Sequence, residues 1–167
     1  LVSCTHALPE PVGVHMIYVH DARELEKAVN AQYDDCDALV MAAAVSDYRP
    51  AVRAENKIKK EQHDHLNIEL TENPDILYGL GQKKTHQFLV GFAAETRDVI
   101  EYGKAKLAKK NLNLLVANDV AQQGAGFNVS TNIAALIYKD GHIEQYLKMT
   151  KDDLGHIIIE KIAEGIN

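Results

Sequence analysis

Three continuous apolar segments constrain the fold of this chain more than any other feature. They are ALVMAAAV, FLVGFAA and NLLVAND, at Ala38–Val45, Phe88–Ala94 and Asn113–Asp119. Runs without polar alternation suit strands that are buried on both faces of a parallel sheet. Helical patterns stand between them, and an alternating order of strands and helices favours an α/β fold. The sequence therefore predicts one α/β domain over residues 1–167 with a largely parallel sheet.

Capping signals predict where the helices begin. A side-chain oxygen just before a helix satisfies free N–H groups, proline suits the first turn, and acids favour the positive end of the helix dipole. The predicted caps and starts are Asp21 with Glu24, Asn73 with Pro74 and Asp75, Thr96, and Thr150 with Asp153. The helix that Thr96 caps is predicted to end near Lys110.

The remaining strands are shorter or lie near the carboxyl terminus. VHMIYV at Val14–Val19 predicts a first strand, and Asn132–Tyr138 and His142–Leu147 flank the turn signal Lys139, Asp140 and Gly141. This arrangement predicts a β-hairpin that is followed by the last helix.

Charge and composition exclude several classes of function. The 167 residues contain 18 Lys and Arg and 24 Asp and Glu, which gives a net charge of −6. A general binder of nucleic acid or of an anionic membrane needs a net basic face, so neither is expected as a partner. Cys4 and Cys36 are too few for a disulfide framework and are interpreted as free thiols in a reducing compartment. No segment approaches the roughly 20 apolar residues of a membrane span.

Polar side chains follow each apolar run. Ligands of open α/β sheets bind outside the carboxyl ends of the strands, so these positions are the first candidates for a site. They are Ser46, Asp47, Tyr48 and Arg49 after the first run, Glu95 and Thr96 after the second, and Asn118 and Asp119 after the third. Taken alone, these residues are better explained as the solvated starts of loops.

A cationic segment follows the first run. Between Arg49 and Lys60 there are five cationic residues and one acid, a local charge of +4 on an acidic chain. If KIKK is extended, Lys57 and Lys59 share one face and Ile58 anchors the other. A pair of ammonium groups beside a strand end suits phosphate oxygens. A flexible charged loop is the alternative, and the residues alone favour neither.

Three further patterns have competing explanations. Lys106 and Lys110 lie four residues apart on one helix face, where solvation or compensation of the helix dipole is the ordinary role. Tyr102 with Lys106 fits the Tyr-x-x-x-Lys pair of short-chain dehydrogenases, but no Gly-rich dinucleotide fingerprint follows a strand. His63, Asp64 and His65 could hold a metal ion, yet they lie in a polar stretch without a spaced partner.

An ordered set of motifs resembles the phosphopantothenoylcysteine synthetase family of bacteria, the carboxyl-terminal half of a bifunctional coenzyme A biosynthesis protein. The motifs are AAAVSDYRP, KIKK, NPDIL, VGFAAET, KLAKKNLNLLVAND and the pair Gly126 and Phe127. The resemblance covers nearly the whole chain. It implies a Rossmann-like three-layer domain with a mostly parallel sheet, a mid-chain dimerisation arm and a carboxyl-terminal β-hairpin plus helix.

The resemblance also implies a two-step ligation. The carboxylate of 4′-phosphopantothenate attacks the α-phosphate of CTP and releases pyrophosphate, with Mg2+ assisting. The amine of cysteine then attacks the acyl-cytidylate and releases CMP. A cytoplasmic homodimer is implied, with a phosphopantothenoylcysteine decarboxylase as a further partner. A nucleotide-binding or regulatory subunit without catalysis is the alternative from another class.

Residue roles follow from the same motifs. Lys57 is the catalytic residue that would stabilise charge as the acyl-cytidylate forms, and Gly126 and Phe127 belong to a loop that closes over the site. The nucleotide-binding residues that the motifs imply are Ala42, Ala43, Asp47, Asn73, Pro74, Asp75, Ile76, Phe92, Lys106 and Lys110.

The chain departs from the family pattern in two places. The family begins with a strand, a Gly-rich loop and an asparagine segment that precede the sequence starting at Leu1. That asparagine is implicated in the second step, so the chain as given is expected to have an incomplete site. In addition, Asn113 stands where the family usually carries Asp.

Overall fold

A computed structural model describes residues 1–5, 7–60, 65–95, 99–119 and 129–166. The chain divides into two compact units. The first unit comprises Leu1–Ala31 and Ala44–Asp75, and the second comprises Gln32–Ala43 and Ile76–Asn167. That the whole chain is a single domain stays a prediction.

Nine strands and four helices form within the described residues. The strands are β1 (Val2–Ser3), β2 (Ile17–Tyr18), β3 (Ala38–Met41), β4 (Tyr48–Pro50), β5 (Leu70–Glu72), β6 (Phe88–Glu95), β7 (Leu114–Asp119), β8 (Thr131–Tyr138) and β9 (Ile143–Thr150). The helices are α1 (Ala22–Tyr33), α2 (Ile76–Lys83), α3 (Val99–Lys109) and α4 (Lys151–Ile166).

The second unit contains a five-stranded sheet in the order β3-β6-β7-β8-β9. Strands β3, β6 and β7 are parallel, and β8 is antiparallel to both β7 and β9. Four of the five strands therefore run in one direction, which confirms the prediction of a mostly parallel sheet with a carboxyl-terminal hairpin.

Helix α4 covers one face of this sheet. Alternate side chains of the central strands form a buried cluster with side chains spaced four residues apart on the helix, as expected for an amphipathic helix. The cluster contains Phe88, Val90, Leu114, Val116, Ala134 and Leu136 of the strands and Leu154, Ile158 and Ile162 of α4.

Helices α2 and α3 cover the opposite face. Gly103 of α3 lies so close to the sheet that a Cβ there would overlap Ile137 Cδ1 and lie 3.1 Å from Leu115 Cδ2. A Cβ at Gly91 of β6 would lie 2.9 Å from Leu77 Cδ2 of α2. The second unit therefore has three layers, which confirms the predicted architecture and explains the unbroken apolar runs of β6 and β7.

The ends of α2 and α3 meet without space for a side chain. A Cβ at Gly81 would overlap the carbonyl oxygen of Lys110 and lie 2.9 Å from its carbonyl carbon. Asn111 ends α3 in the left-handed conformation, with φ at 52°, and its Nδ2 donates to Gly81 O at 2.9 Å. Leu112 N donates to Leu107 O and Asn111 N donates to Ala108 O, which is the hydrogen-bond pattern of a Schellman cap.

The first unit contains two small sheets. Strands β1 and β2 pair in parallel, and β4 and β5 pair antiparallel. Residues 51–60 and 65–69 between β4 and β5 have no extended strand and are exposed where described. The pair β4–β5 therefore forms the base of an excursion at the predicted position of the mid-chain arm.

The cap of α1 is confirmed. Asp21 Oδ1 accepts hydrogen bonds from Arg23 N at 2.8 Å and from Glu24 N at 2.9 Å. Glu24 Oε2 accepts in return from His20 N at 2.7 Å. The Glu24 backbone N–H and then the Arg23 side chain lower the pKa of Asp21, since both stabilise its charged form.

Two predicted boundaries are wrong. Strand β3 ends at Met41 rather than Val45, and it is an edge strand whose Val40 is 42% exposed, because it pairs only with β6. Helix α2 begins at Ile76, two residues after Pro74, since Asn73 is engaged with the arm base instead of capping the helix. The predicted cap Thr96 lies outside the described residues.

The carboxyl-terminal hairpin and helix follow their local signals. Gly141 turns the chain at a φ of 90°, a conformation that favours glycine. Thr150 Oγ1 accepts from Asp153 N at 3.1 Å and donates to Asp153 Oδ2 at 2.6 Å. The predicted cap of α4 is therefore confirmed.

A polar cluster joins the hairpin to α4. Tyr138 OH donates to Glu144 Oε1 at 3.1 Å, and Tyr146 OH donates to the other carboxylate oxygen. Lys161 Nζ of α4 lies 3.3 Å from Glu144 Oε1. The Tyr146 hydroxyl, with smaller contributions from Tyr138 and Lys161, lowers the pKa of Glu144 against the opposing effect of burial.

The contact between α2 and α3 predicts opposite effects for two glycines of one helix. Gly81→Ala should destabilise the protein by about 1–3 kcal/mol, because the new methyl group meets backbone atoms that no rotamer change can move. Gly79→Ala, where nothing lies within 4 Å of the added Cβ, should stabilise by up to about 1 kcal/mol through helix propensity. Urea unfolding checks both, and equal effects of the two substitutions would contradict the contact.

The Glu144 cluster predicts a pH-dependent stability. A carboxyl group whose pKa is lower in the folded chain stabilises the fold above its ordinary pKa of 4.5 and loses that contribution as the pH falls through the folded value. Glu144→Gln should therefore reduce the unfolding free energy by about 1–2 kcal/mol at pH 7 and by less below pH 4.5.

Thermal unfolding between pH 3 and pH 7, roughly the range over which a carboxyl group titrates, measures this difference. Glu160→Gln on the exposed side of α4 is the control and should change stability little. A constant difference between Glu144→Gln and the unsubstituted chain across this range would show that the carboxylate charge makes no contribution.

Candidate functional site

The carboxyl ends of β3, β6 and β7 lie at one edge of the sheet in the second unit, because these strands are parallel. Ala42 and Ala43 follow β3 at this edge and are exposed. Small exposed residues leave the backbone accessible at a strand end, where ligands of α/β sheets bind. Both alanines therefore lie just after a strand end, and their nucleotide role stays a prediction.

Hydrogen bonds organise the arm base in the first unit around Asn73. Its backbone N donates to Asp47 O at 2.7 Å, and its Nδ2 donates to Ser46 O at 2.8 Å. Arg49 Nη1 donates to Asn73 Oδ1 at 3.2 Å and also to Glu72 O. The guanidinium of Arg49 and the amide of Asn73 thus hold together two segments that are more than 20 residues apart in sequence.

Asp47 stands beside this network with its carboxylate exposed. Within the described part of the chain, no hydrogen bond or ion pair engages its side chain, although its backbone carbonyl accepts from Asn73. A carboxylate in this state is solvated and is available to a polar ligand without first breaking an internal contact. Its predicted contact with the nucleotide is compatible with this placement.

The residues from Asn73 to Ile76 differ in which atoms they can offer to a ligand. Ile76 is 5% exposed, so its side chain belongs to the core and only its backbone can serve a ligand. Pro74 is half-buried, and Asp75 is exposed and precedes the first turn of α2. The free N–H groups of a helix start can bind anions, as the resemblance implies for this segment.

The cationic segment lies on the exposed excursion. Arg53, Lys57, Lys59 and Lys60 are exposed, and no acidic side chain of the described chain forms an ion pair with any of them. Ile58 is 58% exposed, so the expectation that it anchors this segment is wrong for the chain by itself. The lysine charges are uncompensated locally, which suits an anionic ligand.

Lys106 and Lys110 lie at the end of α3. The helix follows β6 and spans about 16 Å, so it returns to the amino edge of the sheet, opposite the carboxyl ends of β6 and β7. There Lys110 O contacts Gly81. The structure does not bring these lysines to the carboxyl edge of their own sheet, and their nucleotide role stays a prediction.

Phe92 lies in the middle of β6, opposite Val116 of β7. It is partly buried and packs against the cluster between the sheet and α4. Its predicted role beside the nucleotide also stays untested.

Several candidates fall outside the described residues, namely His63, Asp64, Gly126 and Phe127. Among the residues that are described, no group of three or more His, Cys, Asp or Glu side chains could hold a metal ion. In the same part of the chain, no helix is long and apolar enough to cross a bilayer.

A cavity of about 270 Å³ lies between α3 and strands β7–β9 in the second unit. Its walls include Val99 and Ile100 of α3, Ala117 of β7 and Leu147 of β9. None of the residues assigned from the sequence lines it. A mostly apolar lining does not suit a polyphosphate, so this cavity is not the predicted nucleotide site.

Sequence reasoning missed two positioning side chains. The sequence predicts Arg49 only as a charge and as a polar residue after the first run, whereas it holds Asn73 across the pairing of β4 with β5, which such short segments do not reveal. Asn132 is 4% exposed and donates to Asn118 Oδ1 at 3.0 Å, which ties the start of β8 to the end of β7. An asparagine inside an otherwise apolar strand was the available signal for this second pair.

Together these features define a class of protein: one unit is a three-layer α/β fold with helices on both faces of its sheet, and the other unit contains an antiparallel arm base from the middle of the chain. The family model for the DNA/pantothenate metabolism flavoprotein C-terminal domain matches residues 1–166. The chain belongs to this family, which confirms the family predicted from the ordered motifs.

Known relatives agree with this assignment. The coenzyme A biosynthesis bifunctional protein CoaBC of Bacillus subtilis (strain 168) is 43% identical over 164 residues, which are 98% of this chain and 40% of that protein. CoaBC of Escherichia coli (strain K12) is 42% identical and covers 98% of this chain and 41% of that protein. The chain thus spans about 40% of the length of these relatives.

Solved structures support the fold. The crystal structure of the C-terminal domain of the coenzyme A biosynthesis bifunctional protein CoaBC superposes with a TM-score of 0.79 at 35% identity, over 96% of this chain and 70% of that one. The DNA/pantothenate metabolism flavoprotein from Streptococcus pneumoniae has the same TM-score, 0.79, at 21% identity and therefore supports the fold alone.

The arm base predicts a local effect of Asn73→Ala. Loss of the amide removes its bonds with Ser46 O and Arg49, each worth about 1 kcal/mol. Hydrogen exchange of the β4 and β5 amides should accelerate roughly five- to tenfold, since local opening becomes easier. Asn67→Ala, an exposed amide between the same strands, is the matched control, and equal exchange in both variants would exclude this role of Asn73.

Proposed function

We propose that the chain is the ligase domain of a phosphopantothenate–cysteine ligase that uses CTP in coenzyme A biosynthesis. The observation that carries this proposal is the family match over residues 1–166, together with relatives named coenzyme A biosynthesis bifunctional protein CoaBC. A complex of Cab2 with phosphopantothenate-cysteine has a related fold, with a TM-score of 0.64 at 14% identity.

The proposed reaction has two steps. A carboxylate oxygen of 4′-phosphopantothenate forms a bond with the α-phosphorus of CTP, and the bond to the departing pyrophosphate breaks. The cysteine amine then attacks the acyl carbon, the amide bond forms, CMP leaves and the amine loses one proton. The first step brings two anions together, and the second step releases an anion. Fixed cations therefore lower both barriers.

Lys57 would act in the first step. Its ammonium group lies on an exposed segment with three further cations and has no acidic partner among the described residues. Developing negative charge on the pentacoordinate phosphate can therefore be stabilised without first breaking an ion pair. An excursion of this length can bring the lysine to bound phosphates.

Asp47 and Asn73 would hold the nucleotide from the arm base. The hydrogen bonds of Asn73 fix the backbone of Ser46 and Asp47, and the exposed Asp47 carboxylate can accept from a ligand donor. Pro74, Asp75 and the Ile76 backbone extend this surface towards the start of α2. In this proposal, the other nucleotide contacts come from Ala42, Ala43, Phe92, Lys106 and Lys110.

Mg2+ is proposed as the metal cofactor. Magnesium at nucleotide sites is held mainly by phosphate oxygens and waters together with one or two carboxylates. When bound, the ion would reduce the charge of the triphosphate. The Asp47 carboxylate is exposed and has the donor type that such an ion requires.

A homodimer formed through the arm completes the proposal. The excursion and its base expose apolar side chains that a soluble monomer would normally bury, and such patches mark interaction surfaces. They are Tyr48, Val52, Ile58, Leu66, Ile68 and Leu70. A phosphopantothenoylcysteine decarboxylase is the further proposed partner, in a cytoplasmic setting.

Pyrophosphate release tests this function. In the polypeptide that contains this chain, release should require both CTP and phosphopantothenate, and Lys57→Ala should reduce it by about 10²–10³-fold, the usual effect of losing one group that stabilises a transition-state charge. Lys59→Ala, two residues away, is the matched control and should have a much smaller effect.

Two results would overturn the proposal. Turnover without any nucleotide would exclude the ligation, and CTP binding by calorimetry without turnover would favour a nucleotide-binding subunit. Undiminished turnover in Lys57→Ala would refute the role of this lysine while leaving the reaction intact.

A further inference from the structure

Two lysines converge at the amino edge of the sheet in the second unit. This edge is opposite the carboxyl strand ends, which Ala42 and Ala43 follow. Lys84 directly follows α2, and Lys139 lies in the turn between β8 and β9. Both side chains reach Asn111, the residue that ends α3.

Neutral oxygens alone hold the Lys84 ammonium group. Its Nζ donates to Asn111 O at 2.6 Å and to Asn113 Oδ1 at 2.8 Å. Asn113 Oδ1 also accepts from Leu89 N at 3.0 Å, which fixes this oxygen at the start of β6 and β7. The two acceptors orient the charge but do not neutralise it.

Lys139 brings a second positive charge to the same place. Its Nζ donates to Asn111 Oδ1 at 3.3 Å, and its backbone N donates to Asn113 O at 3.2 Å. Burial and then the Lys139 charge lower the pKa of Lys84, since both disfavour its ammonium form. In the described part of the chain, neither lysine forms an ion pair with a carboxylate.

The two ammonium groups retain several donors. An ammonium has three N–H groups, of which Lys84 uses two and Lys139 uses one on described acceptors. Three N–H groups therefore remain on two ammonium groups that both bind Asn111. A tetrahedral oxyanion has enough oxygens to accept from both lysines at once.

The helix dipole does not explain the pair completely. The carboxyl end of α3 carries a partial charge of about −0.5, which favours a lysine near Asn111. Two ammonium groups carry about four times that charge with the opposite sign, and Lys84 is half-buried. A net positive charge remains at this position, and a bound anion would compensate it.

We propose that Lys84 and Lys139 form a binding site for a phosphate-sized oxyanion, which uses none of the side chains assigned to the nucleotide. Inorganic phosphate, pyrophosphate and a phosphate monoester share the required chemistry. Binding fixes the end of α2, the cap of α3 and the β8–β9 turn relative to one another, so its direct consequence is stabilisation of the second unit.

Thermal unfolding with sodium phosphate at constant ionic strength, against sodium chloride, tests the site. Phosphate should raise the midpoint in a saturable way by about 2–4 °C at roughly ten times its dissociation constant. Pyrophosphate and a phosphate monoester are titrated in the same way, and the tightest of the three identifies the preferred source. Absence of any saturable shift would overturn the proposal.

Four variants locate the bound anion. Lys139→Met should weaken the phosphate effect about tenfold in apparent dissociation constant, because it removes one of the two charges. Asn113→Asp should raise the midpoint without phosphate and abolish the response, since a carboxylate 2.8 Å from Lys84 Nζ replaces the anion. Lys104→Met, a lysine already paired with Glu101 at 3.1 Å, should keep the full response.

Lys57→Ala removes the proposed catalytic lysine and should also keep the full response. A response that is lost in Lys57→Ala and kept in Lys139→Met would place the phosphate elsewhere and refute the inference. An unchanged response in Asn113→Asp would refute it as well. None of these measurements depends on catalytic turnover, so failure of the proposed function leaves them interpretable.

Discussion

The central residues of β6 and β7 are buried on both faces of the sheet, and the arrangement of the second unit follows from this constraint. Their alternate side chains pack on α4 on one side and on α2 and α3 on the other. The side chains on both faces of these strands are apolar, so a helix layer is needed on each face to bury them. Close packing then requires glycine where α3 approaches the sheet and where α2 meets the end of α3.

The arm base solves a different problem in the first unit. A long segment of the chain extends from the end of β4 and returns at β5. The pairing of β4 with β5 covers only three residues and gives little stability by itself. Arg49 and Asn73 strengthen the base by joining the two segments: Arg49 donates to Glu72 O and to the Asn73 side chain, and Asn73 donates to Ser46 O. The same bonds fix the backbone of Asp47, so the residues that support the arm also position the candidate ligand contact.

The two edges of the sheet in the second unit carry different side chains, and α3 runs from one edge to the other. Small and polar residues end the parallel strands at the carboxyl edge. At the amino edge, the cap of α3 gathers Lys84 and Lys139 around asparagine oxygens. Asn113 presents a neutral amide oxygen to the Lys84 ammonium group, so the hydrogen bond is formed but the positive charge is not balanced there.

The sequence by itself determined the fold class, the family and most local boundaries. Unbroken apolar runs predicted β6 and β7, and Thr150 with Asp153 predicted the start of α4, because such signals act over a few residues. Tertiary structure decided that β3 is an edge strand, that Asn73 serves the arm base rather than a helix cap, and that Lys110 lies at the amino edge. These outcomes depend on pairings between residues more than 20 positions apart, and a local pattern carries no information about which distant partner a side chain will meet.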